Sequence, residues 1–341
     1  MYKGNTISVV IPAYNESDFI GEVLERIPTY VDRVYVVDDG STDRTWEEIQ
    51  SHAALSHAST NGKATGEVHF DQRIVPIRHT VNRGVGGAIK TGYLHAREDQ
   101  IDITAVMGGD GQMDPDHLPD LLDPIVEGRA DYAKANRLTK RENRSSMPTF
   151  RFVGNVILSG LTKIASGYWR ISDPQNGYTA ISLEALEQAP IEEMYEFYGY
   201  CNDLLAKLNS RGLRVVDVPI VGVYGDEKSH IRYQTYIPRV SAMLLRTFIW
   251  RLRESYLRGR LHPVPLLYLT GVVGILFGVL RVGRKVAGAD VDKELVARTT
   301  SSLLGGGLSL AIAMMWEAHL NRNLGISKGD QHRENVSRDD D

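Results

Sequence analysis

The sequence predicts an α/β protein: a mostly parallel sheet with helices on both faces, followed by helices that meet a membrane. Three observations carry this. The first half alternates short β-branched runs with amphipathic stretches, the pattern of strands joined by crossover helices. Around Pro238 the chain turns basic and aromatic. Two long runs without charge then follow.

In order, strands are expected at 6–11, 33–38, 73–78, 101–107 and 131–135. Between them, Ile20, Val23, Leu24 and Ile27 share one helical face, and 85–97 carries small residues at helical spacing. The stretch 51–72 is rich in Ser, Ala, His and Gly, shows no period and reads as a mobile surface excursion. Helices at 149–166 and 195–211 come next, then a strand at 214–220. Parallel sheets bind ligands beyond the carboxyl ends of their strands, so residues just after each strand are the candidates for chemistry.

From 239 to 260, Met243, Leu244, Leu245, Phe248, Ile249, Trp250 and Leu252 alternate with Arg246, Arg251, Arg253, Arg258 and Arg260. A basic amphipathic helix of this kind suits a membrane surface. The uncharged runs at 263–280 and 299–316 each reach about 18 residues, near the lower length for spanning, and together form a transmembrane hairpin. The 281–298 loop has several positive charges of its own, so charge bias orients the hairpin only weakly. Gly305, Gly306 and Gly307 permit close helix packing and a homo-oligomer. The expected organisation is a globular domain over 1–232, an interfacial helix over 233–261, the hairpin over 262–318 and a polar, disordered tail over 319–341.

Composition narrows the function classes. Lys and Arg total 39 against 43 Asp and Glu, a net charge of -4, which gives no whole-chain electrostatic case for binding nucleic acid. The single cysteine, Cys201, excludes an internal disulfide and a cysteine-rich zinc site, and fits a reducing, cytoplasmic setting. The N-terminus runs directly into the first strand pattern without an apolar leader, so the globular part is expected not to be secreted.

The ends of the first two strands carry the clearest chemistry. Pro12 stops strand one, Tyr14 offers a flat face for a base, and Glu16 supplies an acceptor. Strand two ends in Asp38-Asp39-Gly40-Ser41-Thr42-Asp43. Asp39 suits ribose hydroxyls or base N–H groups, Gly40 permits a tight turn, and Ser41 or Asp43 can cap the following helix.

These motifs resemble the family 2 glycosyltransferases, whose GT-A domain is a Rossmann-like single sheet that binds nucleotide sugars. The resemblance spans 8–231 and continues through Asn82-Arg83-Gly84 and through Gly108-Gly109-Asp110-Gly111-Gln112. It narrows toward the polyprenyl-phosphate sugar synthases, the dolichyl-phosphate mannose synthase group. The later segments beginning at Asp173, Asn202, Asp217 and Tyr224 support that narrowing.

The resemblance implies inverting transfer from a UDP- or GDP-linked sugar to a polyprenyl or dolichyl phosphate, at the cytoplasmic face of the cell membrane. It implies a divalent cation, Mg²⁺ or Mn²⁺, on Asp110 and Gln112, with Asp110 also facing the donor. Related enzymes usually present Asp-X-Asp-X-Gln here, whereas Gly108 stands in the first position of this chain. Arg137 and Arg151 match arginines that hold phosphates, and Lys228 and Ser229 fall in a segment that closes over the site. Asp203 occupies the position where many family 2 enzymes with hydroxyl acceptors place a general base; orienting an arginine and capping are its alternatives. Transfer to a glycan or glycolipid hydroxyl, and non-catalytic binding of a nucleotide sugar, are the rival readings.

Overall fold

A computed structural model describes residues 1–60, 70–137, 149–220, 233–258, 262–286 and 293–326. Eight strands form one sheet: β1 (Ile7–Ala13), β2 (Arg33–Asp38), β3 (Ile74–Arg78), β4 (Ile103–Val106), β5 (Tyr132–Asn136), β6 (Thr179–Ser182), β7 (Val215–Pro219) and β8 (Gly325–Ile326). Their order is β3-β2-β1-β4-β6-β5-β7-β8. All neighbours pair in parallel except β6, which runs antiparallel to both β4 and β5. The predicted α/β class and mostly parallel sheet are therefore borne out.

Alternation along the strands divides the core between two faces. Ile7, Val9 and Ile11 of β1 pack with α1 (Ile20–Arg26), with Ile49 of α2 (Thr45–Thr60) and with α4 (Leu118–Val126). Val10 and Tyr35 face the other way, toward α3 (Val85–Glu98), α6 (Leu183–Gln188) and α7 (Tyr200–Ser210). The remaining helices are α5 (Thr149–Ser166), α8 (Tyr233–Tyr256), α9 (Val264–Val286) and α10 (Lys293–Leu320).

Three expectations need correction. The supposed excursion at 51–72 is helical as far as Thr60; α2 meets the core through Ile49, with Trp46 and Ala53 packed beside it, a short stripe that lies mostly before residue 51, while Leu55 is exposed. The helix expected from 195 starts at Tyr200, because Gly199 is left-handed at φ 105 and breaks the turn before it. The tail expected to be disordered from 319 instead begins with the end of α10 and with β8, where Val215 N–H donates to Leu324 O at 2.7 Å. Residues beyond 326 lie outside the described part.

α8 buries Val240, Met243, Leu244, Thr247, Arg251 and Leu252, one side at helical period, against α5 and α7. Leu245 and Ile249 remain exposed on its outer side, with Arg246 and Arg253 beside them. α9 and α10 are long and apolar enough to cross a membrane, with mean hydropathies of 1.9 over Val264–Gly283 and 1.3 over Glu294–Leu320. They pack on each other through glycine: a Cβ on Gly306 would stand 2.8 Å from Gly271 O and from Ile275 N. Of the glycines read as a possible association surface, Gly306 is thus used inside the hairpin.

Both ends of the hairpin are tied to the sheet domain. Arg251 Nη1 pairs with Glu317 Oε1 at 2.6 Å, both side chains fully buried. Tyr268 OH donates to Glu317 Oε2 at 2.9 Å, and Arg251 caps the end of α5 by donating to Ala165 O and Ile164 O.

Candidate active site

The site is assembled where β1, β2, β4 and β5 end. The first two loops are stitched together: Asn15 N–H donates to Ser41 Oγ at 2.9 Å, Thr42 N–H to Asn15 Oδ1 at 2.9 Å, and Glu16 N–H to Thr45 Oγ1 at 2.8 Å. This places Pro12, Tyr14 and Glu16 beside the Asp39 turn. Tyr14 is 46% exposed, an open flat face, while Pro12 and Glu16 are half-buried.

Asp39 is buried, and its carboxylate is engaged from within the protein. Oδ2 accepts from Gly84 N–H at 2.7 Å; Oδ1 accepts from Arg83 N–H at 2.9 Å and lies 2.7 Å from His79 Nδ1. Its visible work is to shape the Asn82–Gly84 loop. Asp38, before it, accepts from Ser41 N–H at 3.0 Å and holds the turn.

After β4, Asp110 is half-buried and Gln112 exposed. Asp110 Oδ1 accepts from Gln112 N–H at 3.1 Å. A Cβ on residue 108 would stand 2.7 Å from that same oxygen, so the Asp110 carboxylate leans into space that a side chain at Gly108 would claim. Among the described residues no three His, Cys, Asp or Glu side chains form a cation cluster. One carboxylate and one amide oxygen still fit Mg²⁺ or Mn²⁺, hard ions that accept few protein ligands when substrate phosphates and water complete the shell.

After β5, Arg137 is held by Asp173. Its Nε and Nη2 reach the two carboxylate oxygens at 3.0 and 3.2 Å, and its backbone N–H donates to Oδ2 at 3.1 Å. Burial alone would raise the Asp173 carboxyl, but the hydrogen bonds and charge of Arg137, with Lys134 nearby, hold it below the ordinary carboxylate value. Beneath lies a buried Lys134–Asp217 pair at 3.0 Å, with Asn136 Nδ2 donating to Asp217 at 2.8 Å. There burial prevails and pushes the Asp217 carboxyl up.

Asp203, in the first turn of α7, is buried and fully engaged. Oδ2 accepts from Tyr195 N–H at 2.8 Å and pairs with Lys207 at 2.9 Å; Oδ1 accepts from Thr247 Oγ1 of α8 at 3.0 Å. Arg151 falls in the first turn of α5, but its side chain, like Lys228 and Ser229, lies outside the described residues.

Pro12, Tyr14, Glu16, Asp39, Asp110 and Gln112 thus lie at or beyond the carboxyl ends of the adjacent strands β2, β1 and β4, and Arg137 lies beyond the end of β5, which β6 separates from β4. Asp203 clasps α7 to α8 through Thr247. Two residues escaped sequence reasoning: Asp173, although its motif was noted, and Glu196, which pairs with both Arg83 at 2.6 Å and Lys90 at 2.8 Å. Nothing in the sequence marks Glu196, because its partners lie more than a hundred residues away.

The chain belongs to glycosyl transferase family 2, whose family model matches residues 8–189, more than half of its length. It is 31% identical over 219 residues to the UDP-N-acetylglucosamine–dolichyl-phosphate N-acetylglucosaminyltransferase of Methanococcus voltae, covering 64% of this chain and 86% of that protein. It is 25% identical over 283 residues to the dolichol-phosphate mannosyltransferase of Pyrococcus furiosus, covering 79% of this chain and 69% of that one. Among solved structures, glucosyl-3-phosphoglycerate synthase of Mycobacterium tuberculosis, crystallised with Mn²⁺ and UDP, aligns with a TM-score of 0.49 at 21% identity, over 73% of this chain and 80% of that chain.

Proposed function

We propose that this enzyme transfers a sugar, with inversion, from a nucleotide sugar to a polyprenyl phosphate at the cytoplasmic face of a membrane. One observation carries the reading: a family 2 transferase domain is locked, through the buried Arg251–Glu317 pair, to two helices long enough to span a bilayer. That arrangement holds a site for a water-soluble donor at the surface where a lipid phosphate resides. The names of the two relatives above point the same way.

In this reading Tyr14 stacks on the donor base, and Glu16 and the turn built by Asp39 accept from the nucleoside. Asp110 and Gln112 would hold a divalent cation, which offsets the negative charge growing on the departing diphosphate. Arg137, its fork fixed by Asp173, orients the acceptor phosphate, aided by Arg151 and by Lys228 and Ser229. A lipid phosphate is already anionic near neutral pH, so attack on the anomeric carbon needs positioning and charge balance more than a base. The engagement of Asp203 by three donors supports a phosphate acceptor over a hydroxyl, because a base must be free to take a proton. α8 lies in the interface, with Leu245 and Ile249 toward lipid.

Two variants test this together. Asp110→Ala is expected to lower transfer roughly 100-fold while the protein stays folded. Asp203→Asn is expected to keep transfer within about tenfold and to lose mainly thermal stability, because it leaves buried Lys207 without its counter-charge. Loss of turnover in Asp203→Asn with an unchanged melting temperature would favour a hydroxyl acceptor.

A further inference from the structure

Residues 195–199 form a rim between the donor-side loops and α8. Three anchors fix it. Glu196 takes both Arg83 and Lys90, and its carbonyl accepts from Gly87 N–H at 2.9 Å. The hydrogen bond and charge of Arg83, with Lys90 and against burial, hold the Glu196 carboxyl below its ordinary value, so this anchor is charged at neutral pH. Beside it, Tyr195 N–H donates to Asp203, which binds Thr247 of α8. Approach is so close that a Cβ on Gly84 would stand 2.7 Å from Glu196 O and 2.8 Å from Phe197 Cδ1.

A loop held this firmly nevertheless presents two large rings to solvent: Phe197 is 53% exposed and Tyr198 67%. Their surroundings differ on the two sides. Inward, Phe197 touches Gly84, whose N–H is bound by Asp39, and Tyr200 carries its hydroxyl to within 3.0 Å of a Cβ on Gly177, where Met113 of the Asp110 loop also packs. Outward, a Cβ on Gly199 would stand 2.5 Å from Met243 Cε of α8, the helix whose far face exposes Leu245 and Ile249. Two exposed aromatic rings therefore stand on a loop that packs against the Gly84 turn on one side and, through Gly199, against the amphipathic α8 on the other.

A molecule that crosses such a rim needs a polar end and a hydrocarbon body. We infer that Phe197 and Tyr198 bind the hydrocarbon chain of the acceptor, beyond its phosphate, and so select a long prenyl phosphate over a short, soluble one. The inference rests on the proposed function and deepens it. Aromatic faces suit a branched, unsaturated chain, offering large apolar area at little rotamer cost. The rigid mounting lets the rings hold the chain without ordering the loop first.

The test uses the full chain in detergent, with a long polyprenyl phosphate and a soluble phosphate of one isoprene unit as acceptors. Phe197→Ala with Tyr198→Ala is expected to raise KM for the long acceptor about tenfold relative to KM for the short one, with KM for the nucleotide sugar as the internal reference. Phe197→Leu with Tyr198→Phe is expected to restore most of that selectivity. An unchanged ratio of the two acceptor KM values would overturn the inference. So would loss of binding to phosphatidylglycerol vesicles with the ratio unchanged, which would assign the rings to bulk lipid. Wild-type protein that transfers to neither acceptor overturns the proposed function, and this inference with it.

Discussion

At the residue scale, the site is governed by carboxylates that serve the protein before they serve a substrate. Asp39, Asp173, Glu196 and Asp203 each bind two or more internal donors, and the loops they organise present the groups left open. Asp173 gives a pH prediction. Its folded value is depressed, so its pairing with Arg137 contributes stability fully above the unfolded aspartate value of about 3.9, and that contribution is lost as pH falls through the lower folded value. Melting temperatures of wild type and Asp173→Asn should differ most near neutral pH and converge as pH falls through the depressed folded value. A difference constant across that range would contradict the assignment. Sequence reading proposed Arg137 from its place directly after a strand, where local pattern and topology agree, and Asp110 and Gln112 from the family motif that they complete. It could not tell which of the clustered acids face inward: burial of Asp39 and Asp203 depends on partners such as Gly84 and Thr247 that only folding brings near.

At the element scale, periodicity found helices whose buried face is strongly apolar and missed one whose stripe is short. α1 showed its buried face in Ile20, Val23 and Leu24, whereas α2 buries only Ile49, with Trp46 and Ala53 packed beside it. β6 is only four residues long and β8 two, too short for alternation to register. The role of Arg251 was equally hidden, because in sequence it is one more arginine on a basic helix. In space it is the buried hinge-pin of the hairpin. Glu317→Gln should lower unfolding stability by roughly 3 kcal/mol, since it leaves Arg251 buried opposite a neutral group. Replacing the pair together with apolar residues of similar volume should recover most of the loss, by denaturation of the detergent-solubilised protein. If the single variant is as stable as wild type, the pair does not join hairpin to domain.

At the scale of the whole molecule, the chain leaves the sheet through α8, runs out along α9, returns along α10 and rejoins the sheet as β8. Exit and re-entry are therefore on one side of the hairpin, the side of the transferase domain. A domain fastened at both ends cannot swing freely from its anchor, which suits a reaction whose acceptor headgroup is confined to a plane. The central claim is that this acceptor is a lipid phosphate. The most direct measurement incubates the detergent-solubilised full chain with labelled nucleotide sugars, a divalent cation, and either polyprenyl phosphate or the matching polyprenol, and then counts label in the organic phase. The account predicts acid-labile labelled lipid with the phosphate, none with the alcohol, and loss of label in Asp110→Ala. Label on the alcohol, or on neither lipid with a broad panel of donors, would contradict it.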